Sequence, residues 1–162
     1  MAIANAVSTA GMIVKWAAEQ SLGVRPTSGY TEIPGVKALP ALGDEVNTLQ
    51  TTPLSATKNH TYIAGLADPG GSIQLTVNDY PAFRTAWEAF VTAADALTDG
   101  KQMWVEYAYP ADSGLDSFYF PCMPHALGFG GAEVDSVLEN IANLLPSGDF
   151  EFAAASTGTI SG

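Results

Sequence analysis

One stretch of sequence, followed by a helical pattern as far as Ala94, decides the fold of this chain: Gly70-Gly71-Ser72-Ile73-Gln74-Leu75-Thr76-Val77-Asn78-Asp79-Tyr80-Pro81. Apolar and polar residues alternate in it, which predicts a strand with one buried and one solvated face. The buried face takes Ile73, Leu75 and Val77. The other face is wholly polar and carries no charge: Ser72, Gln74, Thr76 and Asn78.

A helix is predicted directly after this strand. Pro81 suits the first helical position, because its missing N–H would have no partner there, and Asp79 or Tyr80 can precede it as the cap. Apolar residues then recur every three or four positions and predict one buried stripe. Its members are Phe83, Ala86, Trp87, Phe90, Val91 and Ala94, with Phe83, Trp87, Phe90 and Val91 as the core of the helix.

The composition indicates one domain whose surface is unusually poor in charge. A chain of 162 residues is long enough to own a proper core. Only 14% of its residues are charged, whereas about 25% is usual for a soluble domain. Such a surface predicts that much of it is covered by copies of the same chain or by a partner.

The net charge of −11 is unevenly distributed, because the 61 residues after Lys101 carry eight acids and no base. Specific nucleic-acid recognition needs a basic patch and is therefore disfavoured. Two interpretations remain open. The acids form a solvated surface that keeps the protein soluble, or they repel a polyanion so that nucleic acid passes without sticking.

The remainder of the chain is predicted to be mainly β, with short strands on both sides of the one helix. Pro34 and Pro40 confine the second of the other strands to an edge or a bulge, and Pro121 and Pro124 end or bulge the sixth. Residues 11–18, the first strand, could instead form a helix. Residues 133–145 carry a mixture of apolar and polar residues. These strands cover residues 11–18, 30–39, 45–51, 61–66, 101–109, 115–122 and 149–153.

Three segments of the predicted domain, which spans residues 1–162, carry no core pattern. Residues 1–10 are predicted to be an N-terminal arm and residues 154–162 a C-terminal tail. Residues 51–61 form a long polar loop, and loops of this length inside a compact domain usually serve function or interaction.

No arrangement of side chains predicts catalysis, a cofactor or a metal. Two histidines, His60 and His125, have no predicted nucleophile or carboxylate to orient them, so an enzyme is not expected. Cys122 and His125 are two ligands where zinc needs three or more, and a buried thiol beside a surface histidine is the preferred interpretation. The glycines of residues 128–131 do not match a dinucleotide fingerprint.

The aromatic residues fit the strand and helix periodicities, so they are assigned to a core in preference to a base-stacking platform. A signal peptide and a membrane-spanning helix are not expected either, because no basic leader and no long apolar run is present.

The order of these pieces resembles the major tail tube proteins of long, non-contractile-tailed bacteriophages. The resemblance covers residues 30–97 and continues more loosely to Phe152. It is carried by Gly29-Tyr30-Thr31-Glu32-Ile33-Pro34-Gly35-Val36, the Leu-Pro-Ala-Leu-Gly turn of residues 39–43, Lys58-Asn59-His60-Thr61-Tyr62-Ile63-Ala64-Gly65-Leu66, the Asp68-Pro69-Gly70 turn, and the strand and helix that follow.

The resemblance implies a structural virion protein, assembled in the host cytoplasm, that forms hexameric rings stacked into a tail tube. The implied fold is mainly β (α+β), a β-sandwich or half-barrel packed against one α-helix. Inner strands of six subunits join into one barrel, and DNA passes through it without specific binding. The implied partners are further copies of the chain, a tape measure protein, a tail assembly chaperone, a tail terminator and distal tail proteins. No membrane is involved, and no added immunoglobulin-like domain is expected.

Such a barrel of about 24 strands, spaced about 4.8 Å apart and tilted by roughly 40°, encloses a backbone diameter of about 40 to 50 Å. After side chains, roughly 30 to 40 Å remain, which admits a DNA duplex. The candidate lumen residues of a polar, acidic wall are Ser72, Gln74, Thr76, Asn78, Glu106, Glu139, Asp149 and Glu151. The candidate residues for contacts between rings are Thr52, Leu54, Ser55, Thr57, Lys58 and Asn59.

Two alternatives stay open. The same architecture serves the tube of a contractile injection or secretion system, which a neighbouring sheath protein would distinguish. From a different class, the chain could be a monomeric β-sandwich module that binds a carbohydrate or a peptide through its aromatic residues. A sharp monomer in light scattering with ligand-dependent melting would favour that module.

Overall fold

The computed structural model describes residues 6, 8–43, 45–53, 55, 59, 62–68 and 71–156. Within these residues the protein has ten strands, one α-helix and one 3₁₀ turn. The helix α1 spans Pro81–Asp95 and the 3₁₀ turn spans Ala111–Ser113. The strands are β1 (Ile13–Ala18), β2 (Thr31–Ile33), β3 (Val36–Ala38), β4 (Glu45–Gln50), β5 (Tyr62–Asp68), β6 (Ile73–Asn78), β7 (Met103–Ala108), β8 (Ser117–Pro124), β9 (Glu139–Pro146) and β10 (Glu151–Ala153).

Eight strands form one antiparallel sheet that curls back on itself. Its order is β2-β1-β7-β8-β9-β6-β3, and β10 lies beside the first part of β8. The two end strands, β2 and β3, are separated in sequence only by Pro34 and Gly35. Two residues bridge about 10 Å at most between the flanking Cα atoms. The first and last strands of the sheet must therefore come close together, which makes the sheet a half-barrel.

The turn between β2 and β3 requires glycine. Gly35 has φ of +80°, and a Cβ there would lie 2.6 Å from a ring carbon of Tyr80. Its carbonyl oxygen accepts a 2.8 Å hydrogen bond from the Asn78 backbone N–H. Any other residue would combine an unfavourable backbone conformation with a clash against Tyr80. The turn thus joins the edge of the sheet to the start of α1.

Helix α1 supplies the centre of the core, as its periodicity predicts. Phe83, Trp87 and Phe90 are completely or almost completely buried, and Val91 is partly buried. The ring of Trp16 from β1 stacks on Phe90 with 5.1 Å between centroids. Burial of each of these aromatic side chains contributes about 1.5–3 kcal/mol to the free energy of folding. The helix is therefore held inside the curved sheet by its aromatic stripe.

The start of α1 confirms one of the two predicted cap residues, although no side chain caps the helix. Tyr80 is the cap residue, with extended backbone and no side-chain cap, and Pro81 follows at the first helical position. The carboxylate of Asp79 instead accepts hydrogen bonds from Nε and Nη2 of Arg84, at 2.5 and 2.7 Å. Arg84, through its hydrogen bonds, lowers the pKa of Asp79 although burial opposes this.

Strands β4 and β5 form a separate two-stranded sheet. Among the described residues, β4 and β5 pair with each other and with no strand of the curled sheet. The pairing is antiparallel with a register shift between Val46 and Thr48. An isolated hairpin of this kind is only marginally stable in water. This hairpin therefore presents two strand edges at which further pairing can stabilise it.

The structure decides four points on which the sequence expectation was wrong or left open. Residues 30–39 form two strands, because the turn at Pro34 and Gly35 splits them. The helical alternative for residues 11–18 is wrong, since β1 occupies them. Strand β8 continues through Pro121 to Pro124, and the mixed segment 133–145 contains most of β9.

Candidate functional site

The outer face of the curled sheet, which points away from α1, has two different halves. On β1, β7 and β8 it is covered by other parts of the chain; this covered half consists of Lys15, Ala17, Trp104, Glu106, Ser117 and Tyr119. On β6 and β9 it is accessible; this open half consists of Gln74, Thr76, Asn78, Glu139, Ile141, Asn143 and Leu145. Directly opposite residues of paired strands share a face, so the strand registers fix both memberships.

A carboxylate lies at the centre of the covered half. Glu106 has 0% of its surface exposed. One of its oxygens accepts a 2.5 Å hydrogen bond from the Ser156 hydroxyl and lies 3.5 Å from the Lys15 ammonium nitrogen. The other oxygen accepts hydrogen bonds from the Ser156 backbone N–H at 3.0 Å and from the Tyr119 hydroxyl at 2.9 Å. The buried charge is thus fully surrounded by donors.

The protonation of Glu106 follows from these contacts. Burial raises the pKa of its carboxyl, but hydrogen bonds from Ser156, Ser117 and Tyr119 outweigh burial and hold the pKa below its ordinary value. Burial also raises the pKa of Tyr119, and the adjacent Glu106 charge raises it further. Glu106 is therefore ionised and Tyr119 neutral at neutral pH.

Two peripheral segments cover this half. The Tyr119 hydroxyl lies 2.7 Å from the Ala154 carbonyl oxygen, so residues 154–156 run across the buried carboxylate. On the other side the Arg25 guanidinium lies 4.1 Å from the centre of the Tyr119 ring and forms an ion pair with Glu151. These contacts exclude water from the covered half.

The open half is mostly polar but not purely so. Gln74 is exposed and Thr76 half-buried, as the alternation predicts. Each faces a residue of β9 across the antiparallel ladder: Gln74 is opposite Asn143 and Thr76 is opposite Ile141. Ile141 is 45% exposed, so an apolar side chain stands in the middle of the polar surface.

Charge on the open half is compensated within the chain. Glu139 is the acid of this surface, and one of its carboxylate oxygens lies 2.6 Å from the ammonium nitrogen of Lys37 on β3. Both side chains are well exposed, so this ion pair contributes little stability. It nevertheless cancels the charge locally. The open half is therefore close to neutral.

The structure distributes the candidate lumen residues over different surroundings. Gln74, Thr76, Asn78 and Glu139 share the open half, and Ser72 is exposed just before β6. Asp149 is exposed near β10, whereas Glu151 pairs with Arg25. Glu106 is corrected: its carboxylate is sealed inside the chain and has no surface with which to line a channel.

The candidate ring-contact residues can be located only in part. Thr52, Ser55 and Asn59 belong to the connection between β4 and β5; Ser55 and Asn59 are exposed and Thr52 is half-buried. Leu54, Thr57 and Lys58 lie outside the described residues. The loop therefore leaves from the tip of a hairpin that is separate from the curled sheet.

Cys122 and His125 have the surroundings that the sequence indicates. Cys122 is fully buried, and burial raises the pKa of its thiol. His125 is exposed, and its backbone carbonyl accepts a 2.7 Å hydrogen bond from the Trp87 indole. No group of three or more potential ligands that could hold a metal occurs in the described part of the chain. None of its helices there has the length and apolarity needed to cross a membrane.

Sequence reasoning missed two features of the outer face. The role of residues 154–156 had no signal in the sequence, because nothing in a run of small residues indicates a partner 50 positions away. The exposure of Ile141 had no signal either. Asn140 is buried and Ile141 is 45% exposed, which is the reverse of what the polarity of these two side chains predicts for a strand.

No family model matches the chain, and no curated protein matches it in sequence. Solved structures do match. A chain of the anti-feeding prophage baseplate, 6-fold symmetrised, has a TM-score of 0.63 at 13% identity, covering 95% of this chain and 98% of its own length. A chain of the PVC sheath/tube terminator in its extended state, from an extracellular contractile injection system, has a TM-score of 0.64 at 12% identity, covering 93% and 99%.

A third similar chain comes from the tail of an empty GTA particle with C6 symmetry, with a TM-score of 0.55 at 16% identity, covering 88% of this chain and 96% of that one. At these identities the likeness concerns the fold. The expected fold class is confirmed: a mostly β half-barrel with one helix, shared with tail-tube-like proteins. The likeness does not separate tubes of non-contractile phages from those of contractile systems.

Proposed function

We propose that this chain is a structural subunit of a phage-tail or injection-system tube, in which six copies form a ring and rings stack. The observation that carries the proposal is the fold match along nearly the whole of both chains, 95% of this one and 98% of the baseplate chain. Two of the similar assemblies are symmetrised as six-fold or C6. A ring of six is the arrangement that we infer for this chain on that basis.

The hairpin of β4 and β5 supports assembly. In the part of the chain that the structure describes, its two strands form a sheet of their own, and the outer edges of a two-stranded sheet invite pairing with another chain. Closing a ring removes these edges, as closure does in any barrel. The low fraction of charged residues, 14%, agrees with a surface that is largely covered in the assembled state.

We propose the open half as the part of the wall that faces the lumen, with Gln74, Thr76 and Asn78 as its central residues. Amides and hydroxyls carry no positive charge and neutralise no DNA phosphate, so no counterion-release affinity retains the DNA. Glu139 belongs to the same wall, but its pairing with Lys37 leaves no excess negative charge there. Ser72 and Asp149 stay candidates at the margin of this surface.

The loop of residues 51–61 is proposed to contact the next ring of the stack. Its described residues Ser55 and Asn59 are exposed and uncharged. Partners at the two ends of the tube, and a tape measure protein inside it, are proposed by resemblance. We propose that the assembled tube conducts a genome through its lumen and catalyses no reaction.

Electron microscopy of the purified protein tests the proposal. The protein is concentrated stepwise, with and without an assembly initiator, and images are taken at each step. Rings with six-fold symmetry that stack into tubes are expected. Monomers that persist at every concentration and with the initiator would overturn the proposal, and a ligand-dependent rise in melting temperature of such monomers would favour the binding-module alternative.

A second candidate is a subunit that closes the end of a tube. The similarity to a chain of a sheath/tube terminator, and to one of a tube-terminating cap with a TM-score of 0.57 at 15% identity, favours it. The same images distinguish the two candidates. A tube subunit forms stacks of many rings, whereas a terminator forms single rings that do not extend.

A further inference from the structure

Residues 154–156, named the latch below, are joined to the sheet by polar contacts. The Ser156 hydroxyl donates a hydrogen bond to one oxygen of Glu106 and accepts a 3.3 Å hydrogen bond from the Lys15 ammonium group. The Ser156 backbone N–H donates a 3.0 Å hydrogen bond to the other oxygen of Glu106. A single carboxylate thus accepts both hydrogen bonds that Ser156 donates.

The latch buries little apolar surface. Ala154 and Ala155 are exposed, and the Ala154 carbonyl oxygen accepts a hydrogen bond from the Tyr119 hydroxyl. The apolar cluster around Tyr119 reaches as far as Ala153, the last residue of β10. Apolar burial therefore contributes little to closing the latch. Hydrogen bonds to an ionised group must offset the conformational entropy that these three residues lose when they are ordered.

The half-barrel has its own contacts, which the latch does not supply. Helix α1 and the main apolar cluster lie on the inner face of the sheet, whereas Glu106 lies on the outer face. Strand β10 pairs with β8 from Glu151, opposite Tyr119, to Ala153, opposite Ser117. None of these pairs is broken when the latch leaves Glu106. Opening of the latch is therefore a local motion that leaves the half-barrel folded.

The groups that face Glu106 from the sheet keep their charges in mild acid. Lys15 on β1 supplies the positive charge, 3.5 Å away, and Ser117 on β8 donates a further hydrogen bond. Burial raises the pKa of Tyr119 on β8 and of Tyr30, whose ring lies edge-on against it. Both hydroxyls are therefore neutral in acid.

Two other acids lie beside the covered half, and each has partners of its own. Glu151 on β10 pairs with Arg25. Glu19, which follows β1, accepts a 2.9 Å hydrogen bond from the Trp104 indole N–H. Glu106 is thus the carboxylate whose hydrogen bonds end on the latch.

We propose that the latch is an acid-sensitive strap, which closes over Glu106 while this carboxylate is ionised and leaves the outer face, with the half-barrel intact, once the carboxylate is neutral. A protonated carboxyl group loses the charge-assisted hydrogen bonds from Ser156 and adds one more O–H donor to a site already surrounded by donors. Opening gives water to the Lys15 ammonium group, which protonation would otherwise leave buried and unpaired. The latch belongs to the single subunit and acts without rings or tubes.

Acid acts in the required direction. Burial raises the pKa of Glu106, but the hydrogen bonds from Ser156 and its neighbours outweigh burial and lower the pKa in the closed state. Opening returns the carboxyl group to water and removes the Ser156 donors. Closure is therefore complete above the ordinary pKa of a glutamate and is lost as the pH falls through the closed-state pKa.

Amide hydrogen exchange of the full chain, followed by NMR spectroscopy, separates latch opening from unfolding. The Ser156 amide reports on the latch, because its N–H donates to Glu106. The Val105 amide reports on the half-barrel, because β7 lies between β1 and β8. Protection is expressed relative to the unfolded chain at each pH, which corrects for the pH dependence of exchange itself.

At pH 7 we expect the Ser156 amide to be protected, but less than the Val105 amide by about a hundredfold. Between pH 7 and pH 3 the protection of Ser156 should fall by about tenfold or more, and that of Val105 by clearly less. Equal exchange of the two amides at every pH would mean that the latch opens only by global unfolding and would overturn the proposal. An unprotected Ser156 amide at pH 7 would overturn it as well.

Glu106→Gln reproduces the neutral state. Its Ser156 amide should already have lost about tenfold protection at pH 7, with no further loss toward pH 3. The control is Glu151→Gln, which removes a neighbouring acid from β10 and should keep the pH response of the wild type. A pH response that persists in Glu106→Gln, or one that disappears in Glu151→Gln, would contradict the assignment to Glu106.

Ser156→Ala tests the latch without altering the buried carboxylate, and it decides the question if Glu106→Gln fails to fold. The amide of residue 156 should exchange about three- to tenfold faster, because one hydrogen bond is lost. The Val105 amide should not change. Ser147→Ala, at an exposed position after β9, is the matched control and should leave both amides unaffected. Unchanged exchange at residue 156 in Ser156→Ala would overturn the proposal.

Discussion

The covered and open halves of the outer face belong to one sheet, yet they hold charge in opposite ways. The covered half buries an ionised carboxylate, Glu106, under a segment from the far end of the chain. The open half exposes amides, hydroxyls and Ile141, and its acid Glu139 is paired at the surface with Lys37. Strand alternation alone would treat the two halves alike.

This difference teaches that an outward-facing position in a strand is not a solvent-facing one. Glu106 and Gln74 both point away from the helix, but residues 154–156 close over Glu106 and nothing described closes over Gln74. The covered half is thus committed to the stability of the subunit. The open half is available for assembly or for a lumen, and four substitutions or conditions separate the two roles.

The largest effect is expected at the buried carboxylate. Glu106→Gln removes the charge that compensates Lys15 and should lower the free energy of unfolding by about 3 kcal/mol, because it leaves an unpaired buried ammonium group. Denaturant unfolding measures the loss. The control is Asp149→Asn at an exposed position near β10, which should change stability by less than about 0.5 kcal/mol. Equal free energies of unfolding for the two variants would show that Glu106 does not stabilise the covered half.

Acid pH should weaken the covered half in the same way. The folded-state pKa of Glu106 lies below its ordinary value, so its contribution is complete above the ordinary range and is lost as pH falls through the folded-state pKa. The lowered pKa of Asp79 acts in the same direction. Unfolding free energies from pH 7 down to pH 3 should fall more steeply for the wild type than for Glu106→Gln. Parallel curves would contradict this linkage.

A smaller effect is expected at Tyr119. Its hydroxyl proton can be donated to Glu106 or to the Ala154 carbonyl, but only to one of them at a time. Tyr119→Phe keeps the ring under Arg25 and should cost about 1–2 kcal/mol in unfolding free energy. Tyr109→Phe, on a half-buried residue after β7, is the comparison. A loss at Tyr119 no larger than at Tyr109 would count against the role of the hydroxyl.

The smallest effect on folding, and the clearest effect on function, is expected on the open half. Gln74→Lys with Thr76→Lys should change the unfolding free energy by less than about 0.5 kcal/mol per site. In an assembled tube the added charges should bind DNA phosphates and slow ejection, with a delay that shrinks as salt rises. Glutamates at the same two positions are the charge control. Normal ejection kinetics with the lysines would remove this surface from the lumen.

Local patterns were sufficient for the element that the chain is built around. The strand β6 and the aromatic stripe of α1 follow from periods of two and of three to four residues, which depend on nearby sequence only. The split between β2 and β3 was also readable, because a Pro-Gly pair marks a turn. It was missed because the flanking apolar residues look like one extended run.

The remaining features depend on contacts that no local pattern records. Ser156 reaches Glu106 across 50 positions. For the candidate lumen, alternation identified the face of Gln74 and Thr76 correctly but could not exclude Glu106. To predict that the open half is neutral, one would have to know that Lys37 pairs with Glu139, and these residues lie 102 positions apart.

A high-resolution electron-microscopy map of the assembled protein tests the central claim most directly. The account predicts rings of six in which Gln74 and Thr76 of every subunit face the channel, while Glu106 stays sealed under residues 154–156. A ring in which Gln74 and Thr76 face the outside of the tube would contradict it, as would an assembly in which Glu106 is exposed to the channel.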